Sequence, residues 1–498
     1  MWADAVRPLT SEEMAVVEQN AVALGLTTDA MMENAGRAIA EEATRHLPPA
    51  PARVAVVAGT GNNGGDGTCA AFYLGQWGYK PEVWMLRAPA EIRSRSAHRC
   101  FDRVQRSVPI HVGVPTAPEL AAFPLVIDAI LGTGQSGRLR SPARDAVTAM
   151  SASGAPTLAI DLPTGATDPE GLRPNWTVAL AVRKSEMDPA RAGQLTVRDI
   201  GIPLDAWRRT GPGEFLFFPL PPSGSERGRR GRLVVIGGGP YSGAPALAAL
   251  AALRAGAERA TVLAPAGAAE RIQSFSPNLI VHPFGVDRFR PTDVDEILAF
   301  VRSARPPAVL LGMGAGAQTE TVEALARIQR ELVGEIPMVV DADGLAGLPR
   351  PDEMTVKNPT PTLIATPNQG EFLHYFAGSA PGAEREDSAR RAARERRLVL
   401  LVKGRTDLIT DGESVFENRH HHVAMTVGGM GDVLGGVLGG LVAQGVAPIP
   451  AARLATRWVG EAGLQVAGRR GLGLVATDVI SRLPHALVDG LEHVRPDR

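Results

Sequence analysis

The chain has 498 residues, a formal net charge of −1, 44% hydrophobic residues and 21% charged residues. This length predicts two or three domains at roughly 100–200 residues each, and the near-zero charge argues against a nucleic-acid partner. The N-terminus lacks the apolar segment of a signal peptide and no apolar run is long enough to cross a bilayer, so we expect no membrane association. The two cysteines give neither a disulfide framework nor metal-ligand spacing, which fits a reducing cytoplasm.

The first part of the chain predicts an α/β domain. Residues 10–46 favour one helix, and a strand, a glycine loop and a second helix follow over residues 53–78. Further buried strands are indicated by apolar runs at residues 81–87, 125–132 and 157–165. Because such strands alternate with helical stretches, we expect a parallel sheet covered on both faces, a Rossmann-like three-layer α/β/α domain over residues 1–217.

Residues 218–230 are rich in Pro, Gly, Ser and Arg without an apolar period and are typical of a linker. Beyond them the alternation restarts and predicts a second α/β domain over residues 231–498. Its strands are expected in the apolar runs at residues 231–239, 259–265, 307–316, 336–345, 361–372 and 397–404. The last long helix is expected to start near Gly431.

The glycine loop at residues 59–67 satisfies G-x-G-x-x-G, a fingerprint of dinucleotide binding. Asp66 in the same loop would repel a phosphate unless a cation intervenes. Asn63, Asp128 and Thr164 follow strands whose carboxyl ends meet, and their hard oxygen atoms suit an alkali or alkaline-earth cation. A tight turn, with Asp128 as a helix cap, is the alternative interpretation.

Five segments, at residues 31–42, 59–67, 128–137, 159–165 and 198–203, resemble the NAD(P)H-hydrate epimerase family, or YjeF N-terminal domain, in order and spacing. The resemblance covers most of residues 1–215. It implies that Asn63, Asp128 and Thr164 bind potassium and that Asp161 is the catalytic acid/base at the hydroxyl-bearing carbon of the substrate.

The same resemblance implies a set of substrate contacts. They are Asn62, Asn63, Gly64, Gly65, Asp66, Gly132, Thr133, Gly134, Gln135, Ser136, Gly137, Arg138 and Lys184. Lys184 has Arg183 and Glu186 where the family has proline and glycine, so a surface lysine is the alternative for that position.

In the second domain, a glycine-rich turn at residues 428–431 leads into a helix that we expect to start at Asp432. The first amides of a helix lack internal partners and its dipole is positive there, which favours an anion. Asp432 at the edge of this turn can take the proton of a hydroxyl that attacks a phosphoryl group. The alternative is a helix cap, and the repeated glycines at residues 435–440 favour close helix packing.

Six segments, at residues 236–257, 311–316, 339–345, 365–372, 402–409 and 424–436, resemble the ADP/ATP-dependent NAD(P)H-hydrate dehydratase family, which has a ribokinase-like fold. The resemblance implies hydrate contacts at Ala244, Gly314 and Asn368, and a catalytic Asp432. It implies nucleotide contacts at Lys403, Gly404, Arg405, Thr406, Asp407 and Gly431, with Mg²⁺ and ADP as cosubstrate. Three positions differ from the usual family pattern. Asn368 stands where histidine is usual, Met430 where Thr or Ser is usual, and Met313 where proline is usual.

The pairing of both families in one chain resembles the bifunctional NAD(P)H-hydrate repair enzymes. It implies epimerisation of the R and S hydrates, NADHX and NADPHX, followed by ADP-dependent dehydration of the S epimer to NAD(P)H. We expect small-molecule substrates and a homo-oligomer. The alternatives are a ribokinase-like small-molecule kinase with an N-terminal nucleotide-binding module, and a first domain that binds without catalysis.

Overall fold

Alternating small and β-branched residues form the first strand, β1 (Arg53–Ala58). Its even-numbered residues from Val54 to Ala58 pack in one apolar cluster, and Ala55 and Val57 pack in another on the opposite face. A strand buried on both faces is typical of a parallel sheet between two helical layers.

Six further strands complete the first sheet. They are β2 (Lys80–Met85), β3 (Ile110–Val112), β4 (Val126–Ala129), β5 (Thr157–Ile160), β6 (Trp176–Leu180) and β7 (Gln194–Arg198). All neighbours pair in parallel, in the order β3-β2-β1-β4-β5-β6-β7. The strand order reverses between β1 and β4, and such a reversal opens a ligand crevice at the carboxyl ends of the strands.

Helices cover both faces of this sheet. They are α1 (Ser11–Ala23), α2 (Thr28–Thr44), α3 (Asn62–Gln76) and α4 (Arg95–Val104) on one face, and α5 (Ala117–Ala121) and α6 (Ala143–Ser153) on the other, followed by α7 (Leu204–Arg208). The single helix predicted over residues 10–46 is wrong. Gly25 has φ +98°, which ends α1, and the Thr27 side chain caps α2 by accepting from Ala30 N.

The second sheet has nine strands. They are β8 (Arg232–Ile236), β9 (Arg259–Pro265), β10 (Ile280–Phe284), β11 (Ala308–Leu311), β12 (Met338–Val340), β13 (Leu363–Ala365), β14 (Val399–Val402), β15 (Asp407–Thr410) and β16 (Val415–Asn418). The order is β10-β9-β8-β11-β12-β13-β14-β15-β16. Pairing is parallel as far as β14, and β15 and β16 add an antiparallel hairpin.

Nine helices of the described chain flank this sheet. They are α8 (Gly243–Arg254), α9 (Ala266–Ser274), α10 (Val294–Ala304), α11 (Thr319–Leu332), α12 (Gln369–Tyr375), α13 (Arg385–Arg396), α14 (Met430–Ala443), α15 (Pro448–Arg470) and α16 (Ala476–Val494). The expected last long helix is α14, which begins at Met430. Two long helices follow it. Gly445, with φ +89°, comes after the end of α14, and Pro448 is the first residue of α15, so α14 and α15 are separate helices.

These elements come from a computed structural model that describes residues 7–135, 137–222, 224, 230–353, 362–376 and 385–495. The chain divides into two units, Met1–Trp207 and Arg208–Arg498. This division precedes the predicted linker because residues 208–217 pack in the second unit, where the buried Glu214 carboxylate accepts from Arg453 Nη2 at 2.8 Å. Within the described residues, no helix is long and apolar enough to cross a membrane.

Candidate active sites

The first unit has a cavity of about 870 Å³ at the carboxyl ends of its strands. The loops after β1, β4 and β5 line it, and so do parts of α1 and α4. This is the place where an open parallel sheet binds ligands.

Asp161 and Lys184 form an ion pair in this cavity. Lys184 is 1% exposed and its Nζ donates to Asp161 Oδ1 and, at 2.8 Å, to Leu180 O. The surface-lysine alternative for Lys184 is therefore wrong. Asp161 directly follows β5 and has φ +61°, a strained backbone conformation for a residue other than glycine that is concentrated at functional sites.

Asp128 and Thr164 bind each other at the carboxyl ends of β4 and β5, and Asn63 lies against the loop that follows β4. Both oxygens of the fully buried Asp128 carboxylate accept from Thr164, Oδ1 from the hydroxyl at 2.7 Å and Oδ2 from the amide at 2.8 Å. Burial raises the pKa of Asp128 to about 6. Asn63 lies against Gly132, and its buried Nδ2 has no hydrogen-bond partner in the described chain.

Two further carboxyl groups, Glu18 and Asp66, face the cavity. Burial, followed by the nearby charges of Asp161 and Glu18, raises the pKa of Asp66 well above its usual range. Burial raises the pKa of Glu18 to about 7, against the opposing effect of Lys184. Asp66 therefore holds its proton to higher pH than an ordinary aspartate, which weakens its repulsion of a phosphate.

The structure brings most of the predicted substrate residues of the first unit to this cavity. The lining includes Asn62, Asn63, Asp66, Gly132, Thr133, Gly134, Gln135, Gly137, Arg138, Asp161 and Lys184. Gly64 and Gly65 are not among the described lining residues, and their substrate contacts stay a prediction. A Cβ at Gly64 would lie 1.9 Å from Gly59 O and one at Gly65 2.7 Å from Ala97 Cβ, so both glycines permit close packing. Ser136 lies outside the described residues.

In the second unit, the glycine turn leads into α14 as the sequence predicts. Gly429 caps the helix with φ +88°, and Asp432 is the third helical residue. The amides of Met430, Gly431 and Asp432 precede the first internal helix bond, which Val433 N makes to Gly429 O. These amides and the helix dipole make the turn suitable for an anion.

A lysine and three carboxyl groups surround this turn. Lys403 Nζ donates to Asp341 Oδ1 at 2.7 Å and Oδ2 at 3.0 Å, and a Cβ at Gly431 would lie 3.3 Å from the same Nζ. Burial, and next the Asp341 carboxylate, raise the pKa of Asp432 to about 7, with a smaller contribution from Asp343. A carboxyl group with this pKa can accept a proton near neutral pH.

The predicted hydrate contacts of the second unit adjoin this turn. A Cβ at Gly314 would lie 3.2 Å from Ala244 Cβ, so these two residues are neighbours. Asn368 pairs with Lys403 in an isolated β-bridge, and its Oδ1 caps α12 by accepting from Glu371 N at 3.0 Å. Asparagine is among the best helix caps, so the departure from histidine preserves the start of α12.

The segment that follows Lys403 forms a tight turn. Gly404 and Arg405 are exposed and Thr406 is partly exposed, whereas Asp407 is buried. Asp407 Oδ1 accepts from Gly404 N at 3.0 Å. The Asp407 side chain therefore stabilises the turn and does not point toward a ligand outside it.

Sequence reasoning missed two residues of these sites. Asp341 accepts hydrogen bonds from Lys403 and directly follows β12. Its position at the carboxyl end of a strand is the signal that was available. Glu18 lies one turn after the buried Met14 in α1, and an acid on an apolar helix face is the corresponding signal.

Comparison with known proteins gives two family matches. Residues 233–485 match the NAD(P)H-hydrate dehydratase family and residues 28–185 match the YjeF-related protein N-terminus. Curated relatives called bifunctional NAD(P)H-hydrate repair enzyme Nnr include one from Hyperthermus butylicus, 35% identical over 98% of this chain and 93% of its own. One from Methanothermobacter thermautotrophicus is 36% identical over 96% of this chain and 95% of its own.

A ribokinase-like superfamily protein of Enterococcus faecalis has a similar fold, with a TM-score of 0.50 and 19% identity over 57% of this chain and 96% of that chain. Together with the family matches, it confirms the prediction of two α/β domains, the second of them ribokinase-like.

Proposed function

The chain belongs to the family of bifunctional NAD(P)H-hydrate repair enzymes, and from this premise we propose that it epimerises hydrated NAD(P)H in its first unit and dehydrates the S epimer with ADP in its second. The observation that carries the proposal is Asp432 in the first turn of α14, beside a lysine and free helix amides. The proposed substrates are NADHX, NADPHX and ADP, and we propose a homo-oligomer in the cytoplasm.

The first unit supports an epimerase because its cavity holds an acid that is ion-paired with a lysine, Asp161, beside an acid whose pKa is raised to about 7, Glu18. The hydrate has a hydroxyl on C6, beside the ring nitrogen, and that centre changes configuration when a bond to C6 breaks and re-forms, which proton transfer at the oxygen assists. The Asp161 carboxylate, held by Lys184, is placed to take the hydroxyl proton. The loop at residues 132–138 and Asn62 would hold the substrate.

Potassium fits the buried set of Asn63, Asp128 and Thr164. The Asp128 carboxylate accepts from uncharged donors of the described chain, from Thr164 and from Ile130 N, so a monovalent cation would balance its charge. The donors are hard oxygens, which suit this ion. When bound, the cation supplies positive charge beneath the substrate loop.

This cation site has a conservative test at Thr164. Thr164→Ser keeps the hydroxyl and retains potassium-stimulated epimerisation, whereas Thr164→Val removes one ligand and lowers the stimulation at least tenfold. The measurement is the epimerisation rate against potassium concentration at constant ionic strength. Equal potassium dependence of the two variants would contradict the assignment.

The second unit supports phosphoryl transfer. Asp432 takes the proton of the C6 hydroxyl as its oxygen attacks the terminal phosphorus of ADP, and the bond to the leaving AMP breaks. The ring nitrogen's electron pair then expels phosphate from C6, and loss of a proton from C5 restores the ring double bond. Phosphorylation turns a poor leaving group into a good one.

Magnesium fits the carboxylate oxygens of Asp341 and Asp343 beside this turn, since hard oxygens are its preferred ligands. When bound, it supplies charge that screens the phosphates. Lys403 and Gly431 would hold the nucleotide phosphates, with Gly404, Arg405 and Thr406 next to them and Asp407 shaping their turn. Ala244, Gly314 and Asn368 would adjoin the hydrate.

The test is an assay with resolved R and S hydrates and either ADP or ATP, followed by the near-ultraviolet absorbance of reduced nicotinamide. We expect NAD(P)H to form from the S hydrate, faster with ADP than with ATP. We expect it to form from the R hydrate only after epimerisation. A phosphorylated product without NAD(P)H would favour the alternative, a small-molecule kinase.

A further inference from the structure

The start of α1 is anchored to the loop that carries Lys184. The backbone of Leu9 makes two hydrogen bonds, of 3.1 and 2.8 Å, to the residues on either side of Lys184. Ser11 N donates to Glu186 Oε1 at 2.8 Å. Glu18 lies about two turns further along this helix, so the anchor fixes its position relative to Lys184.

Glu18 is half-buried and faces the cavity. Met14, Val17 and Ala21, which surround it on the helix face, are buried. Its carboxyl group lines the cavity that Asp161 and Lys184 also line, and the described residues give it neither a hydrogen bond nor an ion pair. A half-buried acid without such a partner is costly unless it has a role toward a ligand.

We propose that Glu18 is a second catalytic residue of the first unit, the general acid that protonates the ring nitrogen while Asp161 takes the hydroxyl proton. This inference rests on the proposed epimerase function. It adds the group that the reaction needs besides a base, since a carbinolamine opens when its oxygen loses a proton and its nitrogen gains one.

The step balances in protons and electrons. Asp161 takes the proton of the C6 hydroxyl, C6 and oxygen form a carbonyl, and the C6–N1 bond breaks with its electron pair on N1. Glu18 donates its proton to N1. Rotation about C5–C6 presents the other face of the aldehyde, N1 adds to it and returns its proton to Glu18, and Asp161 returns its proton to the oxygen.

The charges around Glu18 favour Asp161 as the base and Glu18 as the acid. Besides Glu18, the charged or titratable groups that line the cavity come from the Lys184 loop, the end of β5, the N-terminal half of α3 and four arginines. They are Lys184, Asp161, Asp66, Arg87, Arg95, Arg138 and Arg140. Lys184 donates to Asp161, whereas the described residues give Glu18 no bonded cation. Burial raises the pKa of Glu18 to about 7, so much of it is protonated at neutral pH.

The experiment compares wild type, Glu18→Gln and Glu12→Gln in the conversion of the resolved R hydrate to S, with the uncatalysed rate subtracted, over a range of pH. Glu12 lies on the same helix, exposed and away from the cavity lining. Wild-type kcat/KM falls as the pH rises through about 7, because Glu18 loses its proton. Glu18→Gln lowers kcat/KM by about 10²–10⁴-fold and abolishes that alkaline limb, and Glu12→Gln changes neither.

Denaturant unfolding of the same preparations, followed by tryptophan fluorescence, reports whether the first unit is folded in each variant, and dehydration of the S hydrate stays at the wild-type rate. A Glu18→Gln enzyme that epimerises at the wild-type rate, or that keeps the alkaline limb, would overturn the inference while leaving the epimerase function in place. A wild-type enzyme that does not epimerise would instead overturn the proposed function itself.

Discussion

At the scale of single residues, the burial of acids sets the chemistry of both sites. Glu18 and Asp66 face the first cavity beside Asp161, and Asp432 lies near Asp341 and Asp343 in the second unit. A buried acid holds its proton to higher pH, and neighbouring acids add to this effect. Each site therefore contains a carboxyl group that exchanges a proton near neutrality.

The pH dependence of dehydration follows from Asp432. The base must be unprotonated, and burial together with Asp341 raises its pKa to about 7. We expect kcat/KM for the S hydrate to fall about tenfold per pH unit below about 7. Asp341→Asn removes a neighbouring negative charge and moves this acid limb to lower pH. A wild-type profile that is flat from about pH 5 to 8 would contradict the role of Asp432.

The buried ion pair of Lys184 and Asp161 also contributes to stability. Lys184 is 1% and Asp161 8% exposed, and removal of one partner leaves a buried charge without compensation. We expect Lys184→Met to lower the free energy of unfolding of the first unit by about 3–5 kcal/mol. The matched control is Lys80→Met at an exposed lysine, with a change within about 0.5 kcal/mol. Denaturant unfolding followed by tryptophan fluorescence measures both, and similar losses would refute the assignment.

At the scale of elements, the start of α14 is held in place by close packing. A Cβ at Gly436 would lie 2.1 Å from Ala248 O, and one at Gly440 3.1 Å from Ala252 O, so these glycines let α14 approach α8 as the sequence indicates. Gly429 has φ +88°, and a Cβ added there would lie only 2.7 Å from Leu247 Cδ1. The turn that presents the helix amides thus depends on glycine.

Gly429→Ala tests this geometry. The new methyl group strains the backbone and pushes against Leu247, so the amides of the turn shift and dehydration slows by at least tenfold. Gly468→Ala in α15 is the control, because its Cβ meets open space. Rates with the S hydrate and ADP measure both variants, and an undiminished rate in Gly429→Ala would show that the turn does not bind phosphate.

The sequence predicted those features that depend on local geometry. The glycine turns before α3 and α14, the buried strands, and the acids at strand ends each follow from a few adjacent residues. It did not predict pairings between distant segments, such as Lys403 with Asp341 or Glu18 with the cavity, because no local pattern encodes which strand end faces which helix. Weakly apolar strands such as the exposed β3 were missed because they carry no periodic signal.

At the scale of the whole molecule, each unit has its own sheet, its own core and its own candidate site. The strands of the first sheet lie between residues 53 and 198, and those of the second lie between residues 232 and 418. Two sites that each contain their own acids, cation and glycine turn are expected to work separately. The central claim, phosphoryl transfer at the turn before Asp432, can therefore be tested without disturbing the first unit.

The most direct measurement is the rate at which Asp432→Asn forms NAD(P)H from the S hydrate and ADP, with conversion of R to S followed in the same preparation. We expect Asp432→Asn to lose about 10²–10⁴-fold in NAD(P)H formation and to keep wild-type epimerisation. We expect Asp161→Asn to lose epimerisation and to keep wild-type NAD(P)H formation from the S hydrate. NAD(P)H formation at the wild-type rate by Asp432→Asn would contradict the central claim.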